Sequence, residues 1–116
     1  MKLTFDGSEW ESAVVAKDGT LSAEVDLGAN YKYVTVLIPT IDSATVSVQG
    51  LKASGGTAYP IHDWKDADAD GTVLQATTAG TGGVAVTFKC GFQFVKVLCG
   101  TAQTTAEVTF YLRGFN

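Results

Sequence analysis

The sequence predicts an all-β protein, an antiparallel, jelly-roll-like β-sandwich of eight or nine short strands that forms a single domain over residues 1–116. Three observations support this prediction. Apolar and polar residues alternate with a period of two in most apolar segments, which is typical of half-buried strands. The 13 glycines fall mainly at the joints between these segments. No segment has the 3.6-residue apolar period of an amphipathic helix.

The first three predicted strands lie in the N-terminal half of the chain. In 21–27 (LSAEVDL), Leu21, Ala23, Val25 and Leu27 fall on one face. Segment 31–39 (YKYVTVLIP) becomes apolar on both faces, which indicates a central strand, and its final proline ends it because proline lacks a ladder donor. Segment 43–50 (SATVSVQG) alternates again, with Ala44, Val46 and Val48 on one face.

The remaining predicted strands follow at regular spacing. They are 57–64 (TAYPIHDW), 72–77 (TVLQAT), 83–88 (GVAVTF), 92–99 (FQFVKVLC) and 107–115 (EVTFYLRGF). In the last of these, Val108, Phe110 and Leu112 alternate with Thr109, Tyr111 and Arg113. The glycine-rich segment 77–83 (TTAGTGG) is interpreted as a long hairpin loop. Each alternating strand must bury one face, and two stacked sheets achieve this.

Charge and hydropathy exclude two classes of partner. Twelve acidic and eight basic residues give a net charge of −4, and no cluster of Lys or Arg is present to bind phosphates. Nucleic acid is therefore not an expected partner. No window approaches the roughly 20 apolar residues that span a bilayer, and the N-terminus has no apolar core of signal-peptide length. We expect no membrane association, and synthesis and retention in the cytoplasm unless the protein leaves by cell lysis.

The two cysteines, Cys90 and Cys99, are expected to remain unpaired. The segment between them alternates and should be extended, which would place their Cα atoms roughly 30 Å apart. A disulfide requires about 4.4 to 6.8 Å between these atoms. Reduced thiols that pack as small apolar side chains fit this spacing.

Acidic residues are concentrated in 62–71 (HDWKDADADG). Asp66, Asp68, Asp70 and Gly71 match the first half of a calcium-binding loop, in which carboxylates at alternate positions surround the cation. The glutamate needed at the twelfth loop position is replaced by Thr77, and the following segment looks like a strand. We therefore interpret the stretch as a solvated loop with no metal, although a cation site there stays open as an alternative.

No catalytic or cofactor site is predicted. His62 is the only histidine, and no serine or cysteine occurs in a nucleophile motif. A pair of carboxylates drawn from Glu9, Glu11, Glu24, Asp26 and the acidic stretch could still converge in space. Trp10, Tyr59 and Trp64 could form a sugar-stacking face, although packing is the commoner role for such aromatic residues.

Three stretches resemble small β-sandwich proteins encoded among the virion structural genes of tailed bacteriophages. They are 31–50 (YKYVTVLIPTIDSATVSVQG), 77–83 (TTAGTGG) and 92–116 (FQFVKVLCGTAQTTAEVTFYLRGFN). The shared features are a Tyr-rich strand that stops at Ile-Pro-Thr, a Gly/Thr loop, and a closing strand that ends in Arg-Gly-Phe. The resemblance covers most of the chain from Tyr31 onward and excludes the acidic stretch.

This resemblance implies a non-catalytic capsid decoration, or cement, protein on the outside of the phage head. Its partner would be the major capsid protein, and assembly at local threefold positions would favour a homotrimer. Two alternatives remain at this point. One is a glycan-binding tail-fibre, head-fibre or baseplate module, and the other is a cellular carbohydrate-binding or adhesin-like domain. The absence of heptads or repeats, from which a fibre shaft could be built, favours the decoration protein.

Overall fold

The structure, a computed structural model, describes residues 7–65, 68–73, 75–78 and 82–116, and the side chains of 7–62 and 82–116. Every regular element in these ranges is a strand. The strands are β1 (Glu11–Val15), β2 (Val25–Asp26), β3 (Tyr33–Ile38), β4 (Ala44–Leu51), β5 (Ala58–Pro60), β6 (His62–Lys65), β7 (Asp68–Val73), β8 (Gln75–Thr78), β9 (Val84–Lys89), β10 (Phe94–Cys99) and β11 (Val108–Phe115). The described residues include no helix that is long and apolar enough to cross a bilayer.

The strands form two larger antiparallel sheets and one hairpin. The four-stranded sheet has the order β1-β11-β3-β9. The five-stranded sheet has the order β2-β10-β4-β5, and β8 pairs with β4 beside β5. Strands β6 and β7 pair with each other in a separate two-stranded sheet. The prediction of an all-β antiparallel fold is therefore confirmed.

The strand order is that of a jelly roll. When β5, β6 and β7 are set aside, the remaining strands, renumbered in chain order, give sheets 1-8-3-6 and 2-7-4-5. Successive strands therefore alternate between the sheets in the early part of the chain, as in the jelly-roll arrangement. The short strands β5 to β7 are an insertion between the fourth and fifth strands of this arrangement.

A single apolar cluster lies between the two sheets. Each sheet contributes alternate residues, as expected for strands with one buried face. From the four-stranded sheet these include Val34, Val36, Ile38, Phe88, Val108, Phe110 and Leu112, and from the five-stranded sheet Val25, Ala44, Val46, Val48, Val95, Val97 and Cys99. The inward positions predicted in segments 43–50 and 107–115 are thus confirmed.

The prediction of which residues of segment 21–27 face the core is wrong at the N-terminal end of the segment. Leu21 is 40% exposed and Ala23 is also exposed, whereas Ser22 is only 3% exposed. The Ser22 N–H donates to the Val97 carbonyl at 2.9 Å, and the Val97 N–H donates to Ser22 Oγ at 2.9 Å. The serine hydroxyl thus replaces a backbone acceptor, and the expected alternation holds only from Val25 to Leu27, both of which are buried.

Two connections also differ from the prediction. Segment 77–83 does not close a hairpin, because β8 pairs with β4 in one sheet and β9 pairs with β3 in the other. The segment therefore passes between sheets, and its residues 79–81 lie outside the described part of the chain. Strand β1 was not predicted, because its sequence ESAVV is short and only Ala13 and Val15 alternate inward.

Candidate functional site

The outward-facing side of the four-stranded sheet is the candidate functional site. The register of the strands places one set of residues opposite the buried core positions. We call this set the outer face; its strand residues are Ser12, Val14, Tyr33, Thr35, Leu37, Ala85, Thr87, Lys89, Thr109, Tyr111, Arg113 and Phe115. A solvent-facing strand surface is normally polar, and this one is rich in aromatic and aliphatic side chains.

Several large apolar side chains on the outer face are substantially exposed. Tyr111 is 48% exposed, Val14 39%, Tyr33 39% and Leu37 38%. Contiguous exposed apolar surface of this kind marks a contact site more often than scattered single residues do. The sheet holds these side chains on rigid backbone, which reduces the entropy lost when a partner binds.

Cross-strand contacts fix the geometry of the outer face. The rings of Tyr33 and Phe115 stack with centroids 5.4 Å apart and an interplanar angle of 28°. The hydroxyls of Thr35 and Thr87 are 2.9 Å apart and hydrogen bond to each other across β3 and β9. These pairs lie directly opposite one another in the strand register and contribute to sheet stability.

An open pocket of about 340 Å³ lies at one end of the outer face. It is lined by Trp10, Thr35, Arg113, Phe115 and Asn116. Ser8 holds the segment before β1 against β11, since its carbonyl accepts from Arg113 Nε at 3.0 Å and its Oγ accepts from the Gly114 N–H at 2.8 Å. This anchoring places Trp10, which is 46% exposed, at the pocket rim.

A second open pocket, of about 330 Å³, lies at the opposite end of the outer face. It is lined by Leu37, Ile38, Pro39, Gly83, Val84, Ala85, Thr109 and Tyr111. No charged side chain is among these residues. We call this pocket the Tyr111 cleft, and its composition suits an apolar side chain of a partner.

The outward-facing side of the other sheet is less accessible. Strand β4 is buried on both faces along much of its length, and its outward residues Ser47 and Leu51 are only 6% and 2% exposed. On β10, the outward residues Phe94, Lys96 and Leu98 are half-buried. Among the residues whose side chains are described, more of the large exposed apolar side chains lie on the four-stranded sheet than on the five-stranded sheet.

The three aromatic residues considered as a sugar-stacking face do not form one. Trp10 precedes β1 beside the four-stranded sheet, whereas Tyr59, which is 58% exposed, lies on β5 in the five-stranded sheet. The side chain of Trp64 lies outside the described residues. Trp10 instead joins residues from β3 and β11 that sequence reasoning did not connect with it.

Three of the described carboxylates, Glu24, Asp26 and Asp42, accept hydrogen bonds from loop residues. Glu24 accepts from Ser54 Oγ at 2.6 Å and from the Gly55 N–H at 2.8 Å, and these hydrogen bonds lower the pKa of Glu24. Asp26 accepts from the Gly28 N–H at 2.7 Å and from Gln93 Nε2 at 3.0 Å. A carboxyl group that acts as a general acid near neutral pH needs a raised pKa, whereas the pKa of Glu24 is lowered. Its hydrogen bonds therefore suit a structural role.

Asp42 shows the same pattern at the end of the sandwich. Its Oδ2 accepts from the N–H groups of Thr104 and Thr105 at 2.8 and 3.0 Å, and its Oδ1 accepts from Thr105 Oγ1 at 2.7 Å. Hydrogen bonds to the Thr105 hydroxyl and backbone are the main causes that lower the pKa of Asp42. Gln103, fully buried beside it, accepts from the Asp42 N–H at 2.8 Å. These contacts join two loops.

The interpretation of the acidic stretch as a loop between segments 57–64 and 72–77 is wrong at Lys65 and at 68–71, which are strand residues, whereas His62 to Trp64 lie in a strand as segment 57–64 predicts. His62 to Lys65 form β6, Asp68 to Val73 form β7, and Lys65 is the register partner of Asp68. Alternating Asp and Ala residues can occupy a strand, because backbone groups rather than side chains form its ladder. Asp66 and the side chains of Asp68 and Asp70 lie outside the described residues, so the absence of a metal site remains a prediction.

Both cysteines are free in the structure. Cys99 is fully buried at the end of β10, and burial raises the pKa of its thiol to about 11. Cys90 is half-buried, and burial likewise raises its pKa. The extended segment between them is shorter than predicted, since β10 begins only at Phe94 and Gly91 adopts a φ of 92°.

Sequence reasoning missed the outer face as a site, although a signal was available. The alternation in 107–115 assigns Tyr111 and Arg113 to the side opposite the core. Aromatic side chains at outward strand positions indicate an interaction surface when several of them adjoin. Their adjacency depends on the pairing of β11 with β3, which links residues 74 to 82 positions apart in the chain and is not encoded locally.

The fold has a known counterpart. The crystal structure of the SPBc2 prophage-derived protein YomS matches this chain with a TM-score of 0.55. The match covers 100% of both chains at 12% sequence identity, a level at which the likeness shows a common fold. No protein-family profile and no curated protein matches the chain.

Proposed function

We propose that this chain is a bacteriophage virion structural protein, specifically a capsid decoration protein that binds the outside of the head and stabilises contacts between major capsid proteins. The observation that carries the proposal is the outer face, a rigid, exposed, aromatic-rich surface on a jelly-roll sandwich. The shared fold with a prophage-derived protein and the sequence resemblance to phage virion proteins support the same class.

The proposed mechanism is binding without catalysis. The carboxyl groups of Glu24 and Asp42 have lowered pKa values and accept hydrogen bonds from loops, which suits structural anions. Apolar and aromatic side chains of the outer face would become buried against the shell and oppose the pressure of packaged DNA. Assembly as a homotrimer at local threefold positions is part of the proposal, as is synthesis in the host cytoplasm before the protein joins the capsid exterior.

Quantitative mass spectrometry of purified particles tests this proposal. We expect hundreds of copies of the chain per particle, in proportion to the major capsid protein. A few copies per particle would instead indicate a tail, fibre or baseplate component. Absence of the chain from purified particles would overturn the virion assignment.

A second candidate function, a glycan-binding module of a tail fibre, head fibre or baseplate, is favoured by the pocket at Trp10. An exposed indole beside guanidinium, amide and hydroxyl groups has the composition of a site that stacks one sugar face and hydrogen bonds its hydroxyls. Titration with monosaccharides and disaccharides should change the intrinsic fluorescence if this candidate is correct. The change should disappear in Trp10→Ala and persist in Tyr59→Ala.

A further inference from the structure

Strand β9 is the sheet edge that is least protected against pairing with another strand. Native sheets blunt their edges with short strands, prolines, bulges or charges. In the five-stranded sheet, β2 has two residues, β8 has four, and β5 has three that end in Pro60. At the other edge of the four-stranded sheet, β1 begins at Glu11. A bulge precedes it, because Gly7 and Glu11 lie opposite Phe115 and Leu112 with one extra residue between them.

Strand β9 has none of these features over most of its length. All six of its residues pair with β3 in an unbroken register, and its one charged residue stands at its C-terminal end. The Cys90 N–H donates to the Lys32 carbonyl at 2.8 Å where this ladder ends. Because ladder bonds alternate between the two sides of a strand, Ala85 and Thr87 direct their backbone N–H and C=O groups away from β3.

These backbone groups of β9 lie along an edge that no described strand covers. Within the described ranges of the chain, β9 pairs with β3 alone. Ala85 and Thr87 make no backbone hydrogen bond to a described residue outside that ladder. Another β-strand matches such an edge, since its own N–H and C=O groups recur at the same spacing of about 7 Å.

The core-facing row of β9 is incompletely covered as well. Val84 and Val86 lie opposite Ile38 and Val36 of β3, on the same side of the sheet. Ile38 is 2% exposed and Val36 is fully buried, whereas Val84 is 47% exposed and Val86 is half-buried. The apolar layer between the sheets therefore continues to the β9 edge and is open there.

We propose that β9 pairs with β9 of a second copy of this chain, antiparallel and about a two-fold axis at Val86. In this register, Ala85 of one copy exchanges backbone hydrogen bonds with Thr87 of the partner subunit, and Val86 faces its own counterpart. Val84 lies beside Phe88 of the partner subunit. A β-branched residue and an aromatic ring form a favourable cross-strand pair, and this pair covers the exposed valine.

Self-pairing is favoured because this register brings no unlike faces or like charges together. A two-fold axis perpendicular to the sheet preserves its faces, so core-facing residues meet core-facing residues. Lys89 lies opposite Gly83 of the partner subunit, and the Lys89 residues of the two copies are about 20 Å apart along the paired strands. The contact does not involve the outer face. It goes beyond the proposed function, whose homotrimer is a different assembly.

Sedimentation equilibrium of the purified chain, from micromolar to millimolar concentration, measures this self-association. Val84→Lys places a charge on the core-facing side of the edge, a device by which natural edge strands avoid pairing. Val14→Lys is the matched control, since Val14 is a valine of similar exposure, 39%, on the opposite edge strand β1. Thermal unfolding establishes that each variant is folded. We expect a monomer–dimer equilibrium, a dissociation constant at least tenfold higher in Val84→Lys, and no change in Val14→Lys.

Disulfide cross-linking tests the register. At the two-fold axis the Cα atoms of the facing Val86 residues are about 4.5 Å apart, within the range of about 4.4 to 6.8 Å that a disulfide requires. Val86→Cys should therefore form a covalent dimer in mild oxidant. Val14→Cys and wild type should not, because burial raises the pKa values of the native Cys90 and Cys99 thiols.

Amide hydrogen exchange identifies the backbone groups that pair. The amides of Ala85 and Thr87 should exchange more slowly as the protein concentration rises. The amide of Val86, which faces β3 in the ladder, should be protected at every concentration.

Three results would overturn the inference. A chain that stays monomeric up to millimolar concentration does not pair through β9, and the proposed function is unaffected. An oligomer that Val84→Lys does not weaken and Val86→Cys does not cross-link has its interface elsewhere, and a trimer of this kind would agree with the proposed function. Amides of Ala85 and Thr87 that gain protection only on purified particles would assign the edge to a strand of another virion protein and reject self-pairing.

Discussion

Ser22 shows how one side chain can reverse the expected alternation of a strand. It is 3% exposed, and its Oγ accepts the Val97 N–H at 2.9 Å. Hydropathy assigns a serine to the solvent side, and only the pairing of this segment with β10 reveals that its hydroxyl completes a backbone ladder. The inward position of Ser22 therefore could not be predicted from local sequence.

Replacement of Ser22 by alanine should destabilise the protein. The Val97 N–H would lose its acceptor in a buried environment, which costs about 1–3 kcal/mol. The free energy of unfolding from urea titration measures this cost. Ser12→Ala, at an exposed position of β1, is the control and should change stability by less than about 0.5 kcal/mol. Equal effects of the two substitutions would contradict the proposed role of Ser22.

Asp42 should make the stability of the protein depend on pH in acid. Its pKa is lowered from an ordinary value of 3.8 by the Thr105 hydroxyl and the neighbouring backbone donors. Because the folded-state pKa is below the unfolded-state value, the stabilisation is fully present above the unfolded pKa and is lost as the pH falls through the folded pKa. Asp42→Asn should therefore be less stable than wild type at pH 7 and approach it near pH 2.

Denaturant titrations between pH 2 and 7 measure this dependence. Thr105→Val removes the hydroxyl donor but leaves the backbone donors, so its pH dependence should lie between those of wild type and Asp42→Asn. A stability difference between wild type and Asp42→Asn that stays constant from pH 7 to pH 2 would contradict the account.

At the scale of the strand, two glycines leave room for an aromatic ring to pack directly against the strand backbone. A Cβ at Gly114 on β11 would overlap the ring of Tyr31, and a Cβ at Gly50 on β4 would overlap the ring of Phe92. Tyr31 and Phe92 are partly buried and pack against the core cluster. Each ring thereby covers a strand position that has no side chain of its own.

Gly114→Ala should destabilise the protein by about 1–3 kcal/mol, because the added methyl group displaces the Tyr31 ring or the strand. The same substitution in a Tyr31→Ala background should cost less, since the ring that it displaces is gone. A double-mutant cycle based on urea unfolding measures this coupling. Additive effects of the two substitutions would show that the contact is unimportant.

We expect the acidic stretch, residues 62–71, to bind no cation. Ligand at about a hundred times its dissociation constant stabilises a folded protein by roughly 2.7 kcal/mol, which corresponds to several degrees in the unfolding midpoint. We expect the same midpoint in millimolar calcium and in chelator, and tolerance of Asn or Ser at Asp66, Asp68 and Asp70. A calcium-dependent rise that disappears in Asp68→Ala would reveal a metal site.

At the scale of the molecule, strand alternation predicted the fold class because the core strands alternate clearly. Segments 43–50 and 107–115 bury the residues that their alternation assigns to the core. Strand β7 was not predicted because its charge density resembles that of a turn, and β1 because only a few of its residues alternate. The outer face was not predicted because it depends on the order β1-β11-β3-β9, in which the central neighbours are distant in sequence.

The central claim is that this jelly roll coats the phage head and contacts the shell through its four-stranded sheet. Cryo-electron microscopy of purified particles, with side chains resolved on the head surface, tests it most directly. We expect the chain on the outside of the head between neighbouring major capsid proteins, with Tyr111 buried against the shell and the five-stranded sheet facing solvent. A particle in which the chain lies in the tail, or contacts the shell through the five-stranded sheet, would contradict this account.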